Sequence, residues 1–343
     1  MADSRGRNGS DRPVRVEDVA REAGVSPITV SRALSSPDLV RPETRARVAA
    51  AVEKTGYVVN SIASSLRSGR SNIIAVFAAS LQNPHFADVI QGILDVFEGS
   101  GFHLLFSQMG YSEEVAIKAI EAILPFRPAG LMFTGVVREP ETRQALQRVG
   151  SPVVEMWGDS DEPIDMLVKS SAFEGGRLMG EHFARQGFRK VAYCGHTQSR
   201  GAERVAGFTQ GLALAGVSPA LILPMEGTRL SNDGVTAIDR IRRDLPDCEA
   251  VFFGTDVLAA GAYLRMHQLG LDIPRNMAIA GYGDLDFAEQ LEPRLTTIHV
   301  AGYEIGQNAG KLLLARLTGQ NTGSQVISVP ALLVERESTS APV

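Results

Sequence analysis

The sequence predicts a small all-α head in front of a large two-lobed α/β body built on two doubly wound parallel sheets. Three observations carry this. Residues 1–70 hold 12 Lys/Arg against 8 Asp/Glu, a net of +4, while the remainder is acidic with a net of −9. The first 60 residues read as short helices punctuated by Gly and Pro, whereas from Ser71 short apolar runs alternate with helical stretches. Aromatics are only 6% and Gly numbers 34 of 343 residues, a mix suited to close helix-on-sheet packing rather than a β-sandwich. At 44% hydrophobic and 21% charged, the chain can bury a real core.

Residues 1–13 (MADSRGRNGSDRP) are polar and predict a disordered tail. The head follows at 14–58. A first helix over 16–23 places Val19, Ala20 and Ala23 on one face, and Gly24 stands where a helix end favours a left-handed residue. Ser26 is a good N-cap, with Pro27 at the first helical position of a second helix through Thr29, Val30, Ser31, Arg32 and Leu34. A third helix from Pro42 carries Val48, Ala49 and Val52 inward and ends at Gly56. Small Ala20, turn-forming Gly24 and apolar Val30 have the spacing of a helix-turn-helix. A generic three-helix bundle has the same periodicity. The second helix, however, presents Pro27, Ile28, Thr29, Ser31 and Arg32, a surface suited to base edges and phosphates, beside its cap Ser26.

Residues 59–70, with Asn60, Ala63, Leu66 and Arg67, form an acid-free connection. It reads as a linker off DNA, since so short a helix is unstable alone. A segment that forms only when docked on DNA has the same composition, with small residues for pairing and Leu66 as a wedge into a base step.

In the body, strands are expected at 73–78, 103–106, 131–134, 153–156, 191–193, 251–253 and 278–280. Helices are expected at 86–98, 113–124, 176–186, 205–215, 235–243 and 258–269. Continuous apolar strands separated by helices indicate parallel sheets covered on both faces. About 270 residues exceed one compact sheet and suit two lobes, with ligand bound beyond the carboxyl ends of the strands.

These residues carry a specific resemblance. VEDVAREAGVSPITVSR (16–32), Thr44-Arg45, Gly56-Tyr57 and the Asn60, Ala63, Leu66 spacing resemble the headpiece and hinge of the lactose-repressor (LacI/GalR) family. FEGG (173–176), RVAGF (204–208), Thr255-Asp256 with AAGA (259–262), IAGY (279–282) and LTTI (295–298) resemble its effector core, which is periplasmic-binding-protein-like. LQNPHF (81–86), MGY (109–111), PVVE (152–155), MAIAG (277–281) and EPRL (292–295) look closest to the gluconate-operon repressors within it. The resemblance implies an effector-binding and dimerisation core at 71–343, with an N-lobe of about 71–168 and 300–328 and a C-lobe of about 169–299 and 329–343. It also implies a homodimer on near-palindromic operator DNA, whose recognition helices enter the major groove and whose paired hinges, through Leu66, open the operator centre. A small-molecule effector, a sugar acid or sugar, would release or recruit that DNA. No leucine heptad follows Val329 to suggest a tetramer tail.

Candidate effector contacts lie just after strands: Asn83, His85 and Phe86, then Glu155 and Trp157, Arg200 and Arg204, Asp256, and Asp284. By the resemblance Arg204 grips ligand hydroxyls or a carboxylate. Asp256 serves equally as a ligand contact or as a helix cap, His85 as a contact or a plain loop histidine, and Trp157 as a contact or interlobe packing. Where the family usually has a pocket carboxylate after the Gly-Tyr pair, this chain has Gly283, and Ser171-Ala172 stands where relatives often have Asp-Asn. Losing negative charge while keeping two arginines favours an anionic ligand, unless Asp284 or Asp286 turns inward.

Catalytic and metal-binding signatures are absent from the sequence: no P-loop, no G-x-S-x-G, no H-E-x-x-H, and no G-x-G-x-x-G opening a helix after a strand. Neither enzyme nor cofactor is expected. Two cysteines suggest no disulfide framework and fit a reducing cytoplasm. No apolar leader and no apolar run of about 20 residues is found, so neither secretion nor a membrane is expected. A Rossmann enzyme or a periplasmic sugar carrier would share the body but leave 14–67 unexplained.

Overall fold

The computed structural model describes residues 14–58, 71–78, 84–110, 113–225, 233–320 and 323–340. The expectations for the tail, for the hinge residues Asn60, Ala63, Leu66 and Arg67, and for Asn83 lie outside them. The chain divides into a small unit, Met1–Ser71, and a large one, Asn72–Val343.

The small unit has three helices, α1 (Val16–Ala23), α2 (Pro27–Ser35) and α3 (Pro42–Thr55), around Val19, Ala20, Ala23, Val30, Ala33, Val48 and Ala51. Gly24 and Gly56 end α1 and α3 with φ of 64° and 66°, the left-handed geometry in which a Cβ is costly. Ala51, not Ala49, faces the core from α3. It lies one turn before Thr55 and three residues after Val48, so the buried stripe follows the 48, 51, 52 spacing.

The large unit contains two parallel sheets. The first joins β1 (Ile73–Ala78), β2 (His103–Gln108), β3 (Gly130–Phe133), β4 (Val153–Met156), β5 (Met166–Lys169) and β11 (Gln325–Ser328) in the order β11-β5-β4-β3-β1-β2. The second joins β6 (Val191–Gly195), β7 (Leu221–Pro224), β8 (Ala250–Phe253) and β9 (Ala278–Ala280) in the order β7-β6-β8-β9. A two-stranded antiparallel piece, β10 (Thr297–His299) with β12 (Leu332–Val334), accompanies the crossovers. Around the first sheet lie α4 (Pro84–Phe97), α5 (Glu113–Ile123), α6 (Pro140–Val149) and α11 (Gly302–Leu317); around the second lie α7 (Ala172–Gln186), α8 (Arg200–Ala213), α9 (Val235–Asp244) and α10 (Asp256–Gln268).

Strand alternation explains the unbroken apolar runs. Ile74 and Val76 face one apolar cluster while Ala75 and Phe77 face another; in the second sheet Phe252 and Phe253 divide in the same way. The sequence reading missed β5, β7, β10–β12, α6 and α11. β11 is a largely exposed edge and α6 is mostly polar, so neither advertises itself by an apolar run.

The FEGG and RVAGF motifs meet each other. A Cβ on Gly176 would collide with the carbonyl of Arg204, and one on Gly207 with the carbonyl of Phe173, so α7 and α8 cross at backbone contact. This crossing sets where α8 begins, and hence where Arg200 and Arg204 stand.

Candidate functional site

In the head, the Ser26 hydroxyl accepts the backbone N–H of Thr29 at 3.1 Å and lies 2.9 Å from the Thr29 hydroxyl. Ser26 therefore shapes the start of α2, with its oxygen already engaged. Pro27, Ile28 and Arg32 are exposed; Thr29 and Ser31 are half-buried at the edge of the same surface. Sequence reasoning missed Arg47. Its guanidinium reaches from α3 to the carbonyls of Ala23 and Gly24 and clips the turn between α1 and α2.

In the large unit, a cleft of about 600 Å³ opens at the carboxyl ends of both sheets. It collects the loops after β3, β4, β6 and β8 and includes the points where strand order reverses, between β1 and β3 and between β6 and β8. Of the expected contacts, Phe86, Trp157, Arg200 and Arg204 line it. His85 lies within α4, and its side chain is outside the described set.

Arg204 stands at the base. Its Nη1 donates to the Gly254 carbonyl at 2.9 Å and toward the Tyr193 hydroxyl at 3.4 Å, and the guanidinium carbon lies 3.7 Å from the centre of the Tyr282 ring. Its Nε is buried without a partner, and no carboxylate pairs with it among the described residues. Arg200, one turn earlier on α8, lies over the Trp157 ring at 4.9 Å and the Phe86 ring at 6.0 Å. Burial, then the charges of Arg204 and Arg200, hold the His196 imidazole below its ordinary pKa, so it is neutral at neutral pH. Trp157 is 3% exposed, stacks edge-on against Phe86, and has a left-handed φ of 50°. Strain of this kind gathers where a side chain must be aimed. Trp157 Nε1 and the Ser170 hydroxyl are also buried and unpartnered, and both residues line the cleft.

Three expected contacts do not line the cleft. Glu155 is completely buried and accepts the backbone N–H groups of Val137 and Ile164, each at 2.8 Å, bracing the loop after β3. Burial pushes its pKa up against those hydrogen bonds and the nearby Arg143 and Arg138. Asp256 turns away from the cleft: it accepts the Thr297 hydroxyl at 2.6 Å and the Leu285 N–H at 2.8 Å. Thr255, not Asp256, caps α10. Asp284, at φ 57°, pairs with Arg336 at 2.8 Å and His299 at 3.0 Å, so it is held outward. Asp286 is exposed and bonds the Phe287 N–H.

The cleft-lining residues therefore include three arginines, Arg138, Arg200 and Arg204, against one carboxylate, Glu139. Arg138 reaches across from the loop after β3 to Glu203 on α8 at 2.9 Å, joining the two lobes at the rim. The sequence reading missed the loop contributing Thr134, Val136 and Arg138, Thr142 at the start of α6, and also His196 and Ser170. Position directly after a strand is the signal in the sequence that points to Thr134, His196 and Ser170. Among the described residues no cluster of three His, Cys, Asp or Glu could hold a metal.

Comparisons with known proteins agree with this layout. Residues 15–60 match the model described as bacterial regulatory proteins, lacI family, and residues 181–339 match the periplasmic binding protein-like domain. The chain is 32% identical over 319 residues to the HTH-type transcriptional regulator GntR of Escherichia coli (strain K12), covering 93% of this chain and 96% of that one. Among solved structures it resembles a LacI family transcriptional regulator from Silicibacter pomeroyi, with a TM-score of 0.88, 30% identity, and coverage of 96% of this chain and all of that one. It also resembles the lac repressor dimer bound to operator and the anti-inducer ONPF, with a TM-score of 0.76, 26% identity, and coverage of 96% and 100%.

Proposed function

The chain belongs to the LacI family of bacterial regulatory proteins, and from that premise we propose that it is a homodimeric, cytoplasmic repressor released from a near-palindromic operator by a sugar acid of the gluconate type. It acts by binding, without catalysis or cofactor. No described helix is long and apolar enough to cross a membrane.

One observation carries the effector class. Arg204 is half-buried, but its Nε is shut off from water, and a guanidinium desolvated in this way normally has a carboxylate, because an uncompensated desolvated charge is costly. Among the described residues Arg204 has only neutral partners, and its Nε faces none. A ligand carboxylate supplies the missing charge through a two-pronged, charge-assisted contact. Trp157 Nε1 and Ser170 offer further donors for hydroxyl oxygens. Asp284, anchored by Arg336 and His299, does not compete.

Ligand bound by both lobes favours a closed cleft and shifts the population away from the DNA-binding state. The hinge, with Leu66 as wedge, is the element through which this reading couples cleft to operator. Trp157 is the single tryptophan and lines the cleft, so its emission reports binding directly. Gluconate is expected to raise the melting temperature and change this emission, and glucose to do so far more weakly. If a neutral sugar or a nucleobase shifts both signals and gluconate neither, the sugar-acid reading is wrong. The reverse sign, with gluconate strengthening operator binding, would make the effector a corepressor.

A further inference from the structure

The first turn of α2 is unlike its neighbours. α1 and α3 each place an acid in the first turn, which suits the positive end of a helix; α2 places none. In its stead stands Ile28, 71% exposed, the large apolar side chain nearest the capped end. The second helix of a helix-turn-helix meets base edges through its N-terminal residues. An isoleucine there can make no hydrogen bond. It can gain only by leaving water against another apolar group, and the one apolar group on a major-groove base edge is the thymine C5-methyl.

We propose that Ile28 reads the methyl group of a thymine in each operator half-site. The inference rests on the DNA-binding reading above. Arg32 lies four residues on, one turn along the same exposed face. A turn rises about 5.4 Å and a base pair about 3.4 Å, so the two side chains address positions one or two base pairs apart. A methyl reader followed by a guanidinium, which favours guanine O6 and N7, gives the half-site a thymine with a guanine one or two steps away.

The test keeps the protein intact and edits single atoms of the DNA. Full-length protein selects its operator from a randomised duplex pool, with and without gluconate. Each symmetric thymine pair is then replaced by deoxyuridine, which removes only the methyls. One pair is expected to lose about fourfold in affinity per methyl. Ile28→Ala is expected to bind thymine and uracil operators alike, and because Ile28 is exposed the variant keeps the fold of the head. Placing 5-methylcytosine opposite guanine at that position should return part of the affinity relative to cytosine. If wild type is indifferent to uracil at every thymine, or Ile28→Ala keeps the methyl dependence, the proposal falls while the regulator reading stands. If no DNA is selected under either condition, both fall together.

Discussion

The guanidinium carbon of Arg204 lies over the ring of Tyr282, 3.7 Å from its centre, with Gly254 O at 2.9 Å as its closest neutral acceptor. The two residues come from α8 and from the loop after β9, so the cation is held between two separate segments that flank the second sheet. A charge held this way is pre-organised for an anion and weakly satisfied without one.

Arg204→Met is therefore expected to separate binding from stability. The ligand-free variant should lose no more than about 1 kcal/mol, since a half-buried cation without a carboxylate contributes little to folding. Its gluconate response should vanish while operator affinity persists. A variant that responds normally to gluconate in tryptophan emission would show that Arg204 does not hold the ligand.

Gly207→Ala places a methyl against the carbonyl of Phe173 at the α7–α8 crossing. The helices must separate, at a cost of about 1–3 kcal/mol. Because Gly207 is one turn from Arg204, effector affinity should fall along with the melting temperature of the large unit. Unchanged values of both would contradict the backbone contact between Gly207 and Phe173.

Asp256 supplies a pH dependence. Burial pushes its pKa up to about 6, against the hydrogen bonds from Thr297 and Leu285, with Asp284 adding to the rise. The folded chain thus holds this proton at pH values where the unfolded chain, near 3.8, has released it. From pH 6 down to pH 4 folding takes up a proton, so this group's contribution grows more favourable as pH falls and is lost as pH rises through 6. Relative to Asp256→Asn, wild type should gain about 2 kcal/mol between pH 7 and pH 4. Denaturant melts of the two proteins at both pH values measure the difference, and a constant gap would refute the buried assignment.

Arg32→Ala distinguishes two uses of an exposed arginine. As a base reader, its loss should relax preference at one symmetric position by about 1–3 kcal/mol. A uniform loss across operator variants with a shallower salt dependence would mark a phosphate contact. Binding titrations on a panel of single-base operator variants at two salt concentrations decide between them.

The head was legible from the sequence because its determinants are local. Ser26 caps an N–H three residues on, Gly24 terminates the helix it follows, and Val19, Ala20 and Ala23 share one helix face. Seven strands, β1 to β4, β6, β8 and β9, were legible for the same reason, as apolar runs between helical stretches, while β5, β7 and β10–β12 were not. Phe86, Trp157, Arg200 and Arg204 were placed near the cleft by the rule that ligands sit beyond strand ends, and they stand there.

Tertiary structure alone decided which polar side chains remain available. Thr297 is 41 residues from Asp256, and Arg336 is 52 from Asp284; each partner arrives through a crossover whose path no local pattern encodes. Once they arrive, the carboxylates are satisfied and turned from the cleft, as Glu155 is by the N–H groups of Val137 and Ile164. Among the described residues Arg204 meets no such partner, and its charge is left for whatever enters. Residue type and position after a strand determine which groups can serve a ligand. Whether they do depends on hydrogen-bond partners distant in the chain, because a buried polar group bonds the nearest suitable partner that folding brings to it.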